Sequence, residues 1–260
     1  MTMSAARTAA PAFDAGRVFR RAAALLSAHG LILALGSLLF LGIPECAIGW
    51  GAHLVNQMLL KPAGAAAYGA LGLVLVQYAI ISTLQAVITG WIALVLIEGQ
   101  IGGVRVDPVL LAGQAAKRAR SLLIVGLILF GGLFGGLILL VVPGLMMATA
   151  WCVSVPALIA EDLSPGAAVA RSLRLTRGRR WPLFGLLLLV LLSASAVNLV
   201  VSRLIRLAAG QIDTVVPIQY FVLPAMSALE HVVVAAFIAS IYVELVTLKE
   251  GSLKAGDFVL

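Results

Sequence analysis

The stretch from Val142 to Gly185 reads VPGLMMATAWCVSVPALIAEDLSPGAAVARSLRLTRGRRWPLFG. An apolar run stops at Glu161 and Asp162, a short basic segment follows, and apolar sequence resumes after Trp181. Ser164 is placed to cap a helix with Pro165 in its first turn, and Gly178 to end it. Arg171, Arg174, Arg177, Arg179 and Arg180 lead up to Trp181, a residue type that favours membrane interfaces. The pattern predicts a membrane exit, a surface helix and a re-entry. It marks one side of a membrane without naming an activity.

Composition extends this reading to the whole chain. Of the 260 residues 62% are hydrophobic and 11% charged, against about 45–50% apolar and about 25% charged in soluble domains. Inside lipid, backbone groups find no water, so only helices and closed barrels span. The apolar runs here are continuous and lack the alternation of barrel strands, which selects helices. The predicted fold class is therefore all-α: a polytopic membrane helix bundle, a single integral-membrane domain over residues 1–260 with no soluble domain. The net charge of +7 sits beside apolar spans, which points to anionic headgroups rather than nucleic acid. Cys46 and Cys152 lie in apolar sequence without metal spacing and read as buried small hydrophobes. Arginines precede an apolar run at the N-terminus, as in a signal peptide. That run is too long and lacks a small-residue cleavage site, so the segment is read as part of the mature chain.

A span needs about 20 apolar residues at 1.5 Å rise per residue. Six segments qualify, near 31–48, 71–97, 121–142, 145–160, 183–201 and 223–248. Only Pro143 and Gly144 separate the third from the short fourth, which predicts a tight hairpin. With the N-terminus inside, fifteen of the eighteen Lys and Arg residues fall on the inner side, leaving Lys61, Arg203 and Arg206 outside. That bias predicts both termini on the cytoplasmic side.

Three inner segments share a layout of cap, basic stretch and span: from Asp14 through Arg17, Arg20 and Arg21; from Asp107 and Pro108 through Lys117, Arg118 and Arg120; and from Ser164 and Pro165. Each would be a surface helix followed by a hairpin, although the positive-inside rule alone also gathers Arg in inner loops. In the third, Val169, Leu173 and Thr176 fall in one arc of a helical wheel, away from the arginines. Arg171, Arg174, Arg177, Arg179, Arg180, Lys117, Arg118 and Arg120 are the expected contacts to anionic lipid headgroups.

Ionisable residues within spans are costly and mark candidate sites. Glu45, after the potential kink at Pro44, Glu230, His231 and Arg203 are expected to form a polar cluster lining a cavity in the outer half. The alternative is a structural ion pair with snorkelling side chains. Glu244 is a further ionisable residue within the last span. Gly131, Gly132, Gly135 and Gly136 make two small-xxx-small pairs, expected to pack against another helix, with a dimer face as the alternative. No HExxH, nucleophile elbow, P-loop or dinucleotide fingerprint occurs, so no catalytic residue, metal or cofactor is nominated. Glu161 and Asp162 could hold a cation, or serve the electrostatics of the helix N-terminus.

Pro143-Gly144, Trp151, Pro156 to Ile159, Glu161 to Pro165, Ala168, Arg171-Ser172, Leu175-Thr176, Gly178, Trp181 and Phe184-Gly185 together resemble the membrane domain attached to some glycerophosphodiester phosphodiesterases. They are also similar to the stand-alone bacterial inner-membrane proteins of the YciC type, which implies the bacterial cytoplasmic (inner) membrane as the location. The resemblance extends to Phe13 to Val18 and to Tyr242, Glu244 and Lys249 to Gly251. It breaks at Leu245 and Val246, where the family pattern has a basic residue after the acidic one. It implies no catalysis here, because the phosphodiesterase activity belongs to a separate soluble barrel. The leading expectation is a non-enzymatic, lipid-associated scaffold or accessory in envelope or glycerophospholipid homeostasis, with membrane lipids, a protein partner or a second copy as partners. The alternative is a transporter or lipid-handling protein. A cavity reaching Glu45 or Glu230 separates the second from the filled bundle of the first.

Overall fold

Asp14 and Asp107 open helices by the same device. In the computed structural model each carboxylate accepts from the backbone N–H groups two and three residues on, at 2.8 and 3.4 Å for Asp14 and 2.9 and 3.4 Å for Asp107. The structure describes residues 13–59, 65–101, 107–139, 141–209 and 218–251, and among these there is no strand. The helices are α1 (Ala15–Ser37), α2 (Ile43–Leu59), α3 (Ala65–Ile101), α4 (Pro108–Lys117), α5 (Ala119–Leu139), α6 (Val141–Trp151), α7 (Ser154–Ala160), α8 (Pro165–Thr176), α9 (Arg180–Ala209) and α10 (Leu223–Glu250). One-turn π segments, Leu38–Gly42 and Ile218–Val222, lead into α2 and α10.

Five stretches are long and apolar enough to cross a membrane: Ala15–Leu54, Gly72–Gly99, Ala119–Gly136, Arg180–Ile205 and Tyr220–Glu250. They correspond to five of the six expected spans. The expected span at 145–160 is a shorter apolar segment, Gly144–Ala160, divided at Cys152 and Val153 into α6 and α7. Pro156 accounts for the break, because it has no N–H to give the Cys152 carbonyl four residues back. Pro143 and Gly144, expected at the hairpin turn, instead lie in the first turn of α6. The α5–α6 packing is close all the same. A Cβ on Gly136 would come within 2.9 Å of the Gly144 Cα, and one on Gly132 would overlap the Trp151 ring. Gly131 and Gly135 face away, with nothing within 4 Å of a Cβ placed there.

The core lies between α3 and α10, whose span windows are each 61% buried, against 28, 22 and 11% for those of α1, α5 and α9. Ala228, Ala235, Ala236 and Ala239 let α10 sit close to its neighbours, and all seven residues of α7 are buried beside them. The Trp91 indole donates to the Pro108 carbonyl at 2.7 Å and lies over Gly36, tying α3 to α4 and α1.

Pro44 does not bend the helix as a simple kink. The N–H of Ile43 bonds the Leu38 carbonyl five residues back, and this wider turn makes room for a proline ring that would otherwise collide one turn earlier. The same order recurs at Ile218–Val222 and Pro224. The two sites meet: Gly42 packs against Ala225 and Ala228, and Ser37 donates to the Ala228 carbonyl at 2.7 Å.

The three basic stretches differ in form. The first is continuous with its span, since α1 runs on from Arg17 to Ser37, whereas α4 and α8 are separate short helices. Ser164 holds the N-cap position of α8 without a capping bond from its side chain; Gly166 and Ala167, whose N–H groups it would serve, are exposed to solvent. Gly178, at φ +86°, ends that helix in the left-handed region. The face that α8 buries is Ala168, Ser172, Leu175 and Thr176, whereas Val169 is half-buried and Leu173 exposed. The expected arc is displaced for a specific reason. The break after Trp151 leaves the Ala150 carbonyl without its helical donor, and Ser172 and Thr176 supply bonds of 2.8 and 3.3 Å.

Candidate functional site: a polar chamber and an ionic end

Two polar assemblies occupy opposite ends of the bundle. At the end where α1 begins and α10 finishes, carboxylates on α10 and after α7 gather arginines from three segments. Glu161 accepts from Arg171 Nε at 2.8 and 2.9 Å and from the Tyr242 hydroxyl at 2.9 Å. Arg171 also reaches Glu250 at 2.6 Å. Burial works against the charge on Arg171, yet these two carboxylates hold its pKa above the ordinary guanidinium value. Glu244, 1% exposed, pairs with Arg17 at 2.6 Å and Arg21 at 2.8 Å. Arg118 pairs with Asp162 at 3.2 Å and donates to the Ile159 carbonyl at 2.7 Å. Lys249 donates to the Arg174 and Arg177 carbonyls, closing the C-terminus of α8.

This places the expected headgroup contacts in different roles. Arg171 and Arg118 turn their guanidinium groups to protein carboxylates, because the segment after α7 brings Glu161 and Asp162 back beside them. Lys117, Arg120, Arg174 and Arg177 are exposed, and Arg179 and Arg180 half-buried. Glu161 and Asp162 are thus partners of arginines. Among the described residues no group of three or more His, Cys, Asp or Glu could hold a metal ion.

Toward the other end the bundle is hollow. Ser82, Gln85 and Thr89 recur at helical spacing on α3, and Ser227, Glu230 and His231 do so on α10. Between them lie cavities of about 830 and about 450 Å³. The two share Ser82, Gln85, Leu129, Leu133 and Ser227, so they adjoin as one chamber. The larger part is lined by Glu45, Gln77, Tyr78, Asn198 and Tyr220. The smaller has Thr89, Thr149, Cys152, Glu230 and His231, and continues to Phe184 and Ile238. Glu45 is 5% exposed, and its Oε1 has no protein partner. Asn198 donates to Glu230 at 3.4 Å. His231 Nε2 lies 3.0 Å from the Thr89 hydroxyl and 3.1 Å from the Gln85 carbonyl. Leu133, Leu145, Leu188 and Leu191 line the smaller part and are exposed, which gives the chamber a side opening with apolar edges.

Of the four residues expected in this cluster, Glu45, Glu230 and His231 line the chamber and Arg203 does not. Arg203 lies five residues beyond Asn198 on α9, about 140° further around the helix, and is exposed. Asn198 takes the place expected for it beside Glu230. The wall residues Gln85, Thr89, Asn198 and Ser227 were legible as polar residues within apolar runs. The pairing of Glu244 with Arg17 and Arg21 has no local signal, since more than 220 residues separate the partners. A second, apolar groove of about 550 Å³ runs between α9 and α10, lined by Leu189, Val197, Met226 and Val233. Asn198 and Glu230 border both this groove and the chamber.

Comparison of the chain with known protein families, with curated proteins and with solved structures finds no significant match.

Proposed function

We propose that the protein handles lipids or other amphiphiles, taking a polar group into the chamber and leaving an apolar tail at its side opening. The observation that carries this reading is the chamber itself. Its combined parts are of ligand-binding size, its walls mix apolar surface with a few converging polar groups, and its opening is edged with exposed leucines. The scaffold reading calls for a filled bundle and rests on the exposed Lys117, Arg120, Arg174 and Arg177, which on the handling reading hold the protein to anionic headgroups. The chamber's polar groups bind rather than catalyse: the side chain or carbonyl of a neighbour already lies at His231 Nε2.

The proposed setting is a bacterial cytoplasmic membrane crossed six times, with both ends inside. Parity supports the count. Arg17, at the start of the first candidate span, pairs with Glu244, near the end of the last, so the two lie at one end of the bundle and an even number of crossings must separate them. Five long stretches reach that number only if α6 and α7 together make a crossing. The resemblance to phosphodiesterase-associated membrane domains favours glycerophospholipid as the cargo.

The test is native mass spectrometry of the protein purified in a mild neutral detergent, beside Leu133→Trp. Leu133 lines both parts of the chamber and is 37% exposed, so the larger ring fills the cavity without disturbing the core. A bound lipid or amphiphile is expected on the native protein and reduced at least severalfold on the variant. Equal occupancy of both at equal Tm refutes the reading.

A further inference from the structure

We propose that the chamber recognises an organic ammonium group, with Glu45 as its counter-ion. This rests on the amphiphile-handling reading and specifies the cargo's chemistry. The charge of the wall comes first. Glu45 and Glu230 contribute carboxylates, and among the described residues no Lys or Arg lines either part of the chamber or the adjoining groove. A phosphate or sulfate entering alone would meet like charge from these two carboxylates, whereas an ammonium meets the opposite charge.

The second observation is the state of Glu45. It is 95% buried at the chamber wall, and Oε1 is without a protein partner. Leaving a buried carboxylate oxygen unsatisfied is costly; a primary ammonium arriving from the chamber offsets that cost by charge and hydrogen bond, a quaternary one by charge alone. The third is the company Glu45 keeps. Tyr78, Phe130, Phe134 and Tyr220 line the same part of the chamber. Aromatic faces beside a carboxylate are the arrangement that holds alkylammonium and quaternary ammonium groups. The side opening edged by Leu133, Leu145, Leu188 and Leu191 leaves room for the alkyl chain, so the geometry fits an ammonium headgroup on an amphiphile.

Native mass spectrometry titrations of the full chain in a neutral maltoside detergent test this with four probes: dodecyltrimethylammonium, lysophosphatidylethanolamine, lysophosphatidylglycerol and choline. Dodecyltrimethylammonium and lysophosphatidylethanolamine are expected to bind at least ~10-fold tighter than lysophosphatidylglycerol, a difference of about 1.4 kcal/mol. Glu45→Gln, which keeps the shape and removes the charge, is expected to weaken the dodecyltrimethylammonium complex ~10-fold and leave lysophosphatidylglycerol unchanged. Tyr78→Leu, at a position 60% exposed, carries the same test outside the core and is expected to cost about 2- to 5-fold. Choline binding as tight as that of the tailed probes supports ammonium recognition and overturns the amphiphile reading. Lysophosphatidylglycerol binding as tight as lysophosphatidylethanolamine overturns the ammonium inference and leaves amphiphile handling standing. If none of the four binds, both fall.

Discussion

Glu161 shows how one residue joins three elements. It sits just past α7, takes the Arg171 side chain of α8 and the Tyr242 hydroxyl of α10, and is 20% exposed. Truncating one member of a largely buried pair leaves the other charge without compensation, at a cost of about 3 kcal/mol. Glu161→Ala is therefore expected to lower the thermal midpoint of the detergent-solubilised protein by several degrees. Glu161→Gln keeps an acceptor for Tyr242 and Arg171 and should lose less. Unfolding followed by tryptophan fluorescence or by cysteine accessibility makes the comparison, and equal midpoints for all three proteins would remove Glu161 from the stabilising network. The role of Glu45 differs at the same scale: its carboxylate faces a cavity, so its substitution is read in binding.

At the scale of elements, the α5–α6 hairpin depends on which glycines face inward. Adjacent glycines look alike in the sequence, yet the helical period turns Gly132 and Gly136 toward Trp151 and Gly144 while Gly131 and Gly135 look outward. Gly132→Ala and Gly136→Ala are expected to destabilise by about 1–3 kcal/mol through overpacking. Gly131→Ala and Gly135→Ala, free of contact and better helix formers, are expected to be neutral or slightly stabilising. Thermal midpoints of the four single variants check this, and a uniform response would mean that α6 does not pack as described. The π turns before Pro44 and Pro224 belong to this scale too. Each follows from a proline that removes a backbone donor, and their crossing at Gly42 and Ala228 needs residues from both ends of the chain.

For the whole molecule, the ionic end and the hollow end set an axis. Described basic residues of α1, α4, α5, α8 and α9 gather with Lys249 at the ionic end, and Arg203 stands toward the other. With six crossings, reporters fused before α1 and after α10 are both expected to report the cytoplasm in a bacterial host; opposite sides for the two would restore the count to an odd number. The helical fold, the candidate spans and the charge bias were legible in the sequence because each rests on local periodicity or composition. Ionisable residues within apolar runs likewise nominate Glu45, Glu230 and His231. What needed the tertiary structure was long-range and orientational: which arginines meet carboxylates, which face α8 buries, and that Arg203 turns away while Asn198 takes its place. The physical reason is that apolar patterning and helical hydrogen bonding are written within a segment, whereas charge pairing and a chamber between helices exist only once helices distant in sequence stand side by side.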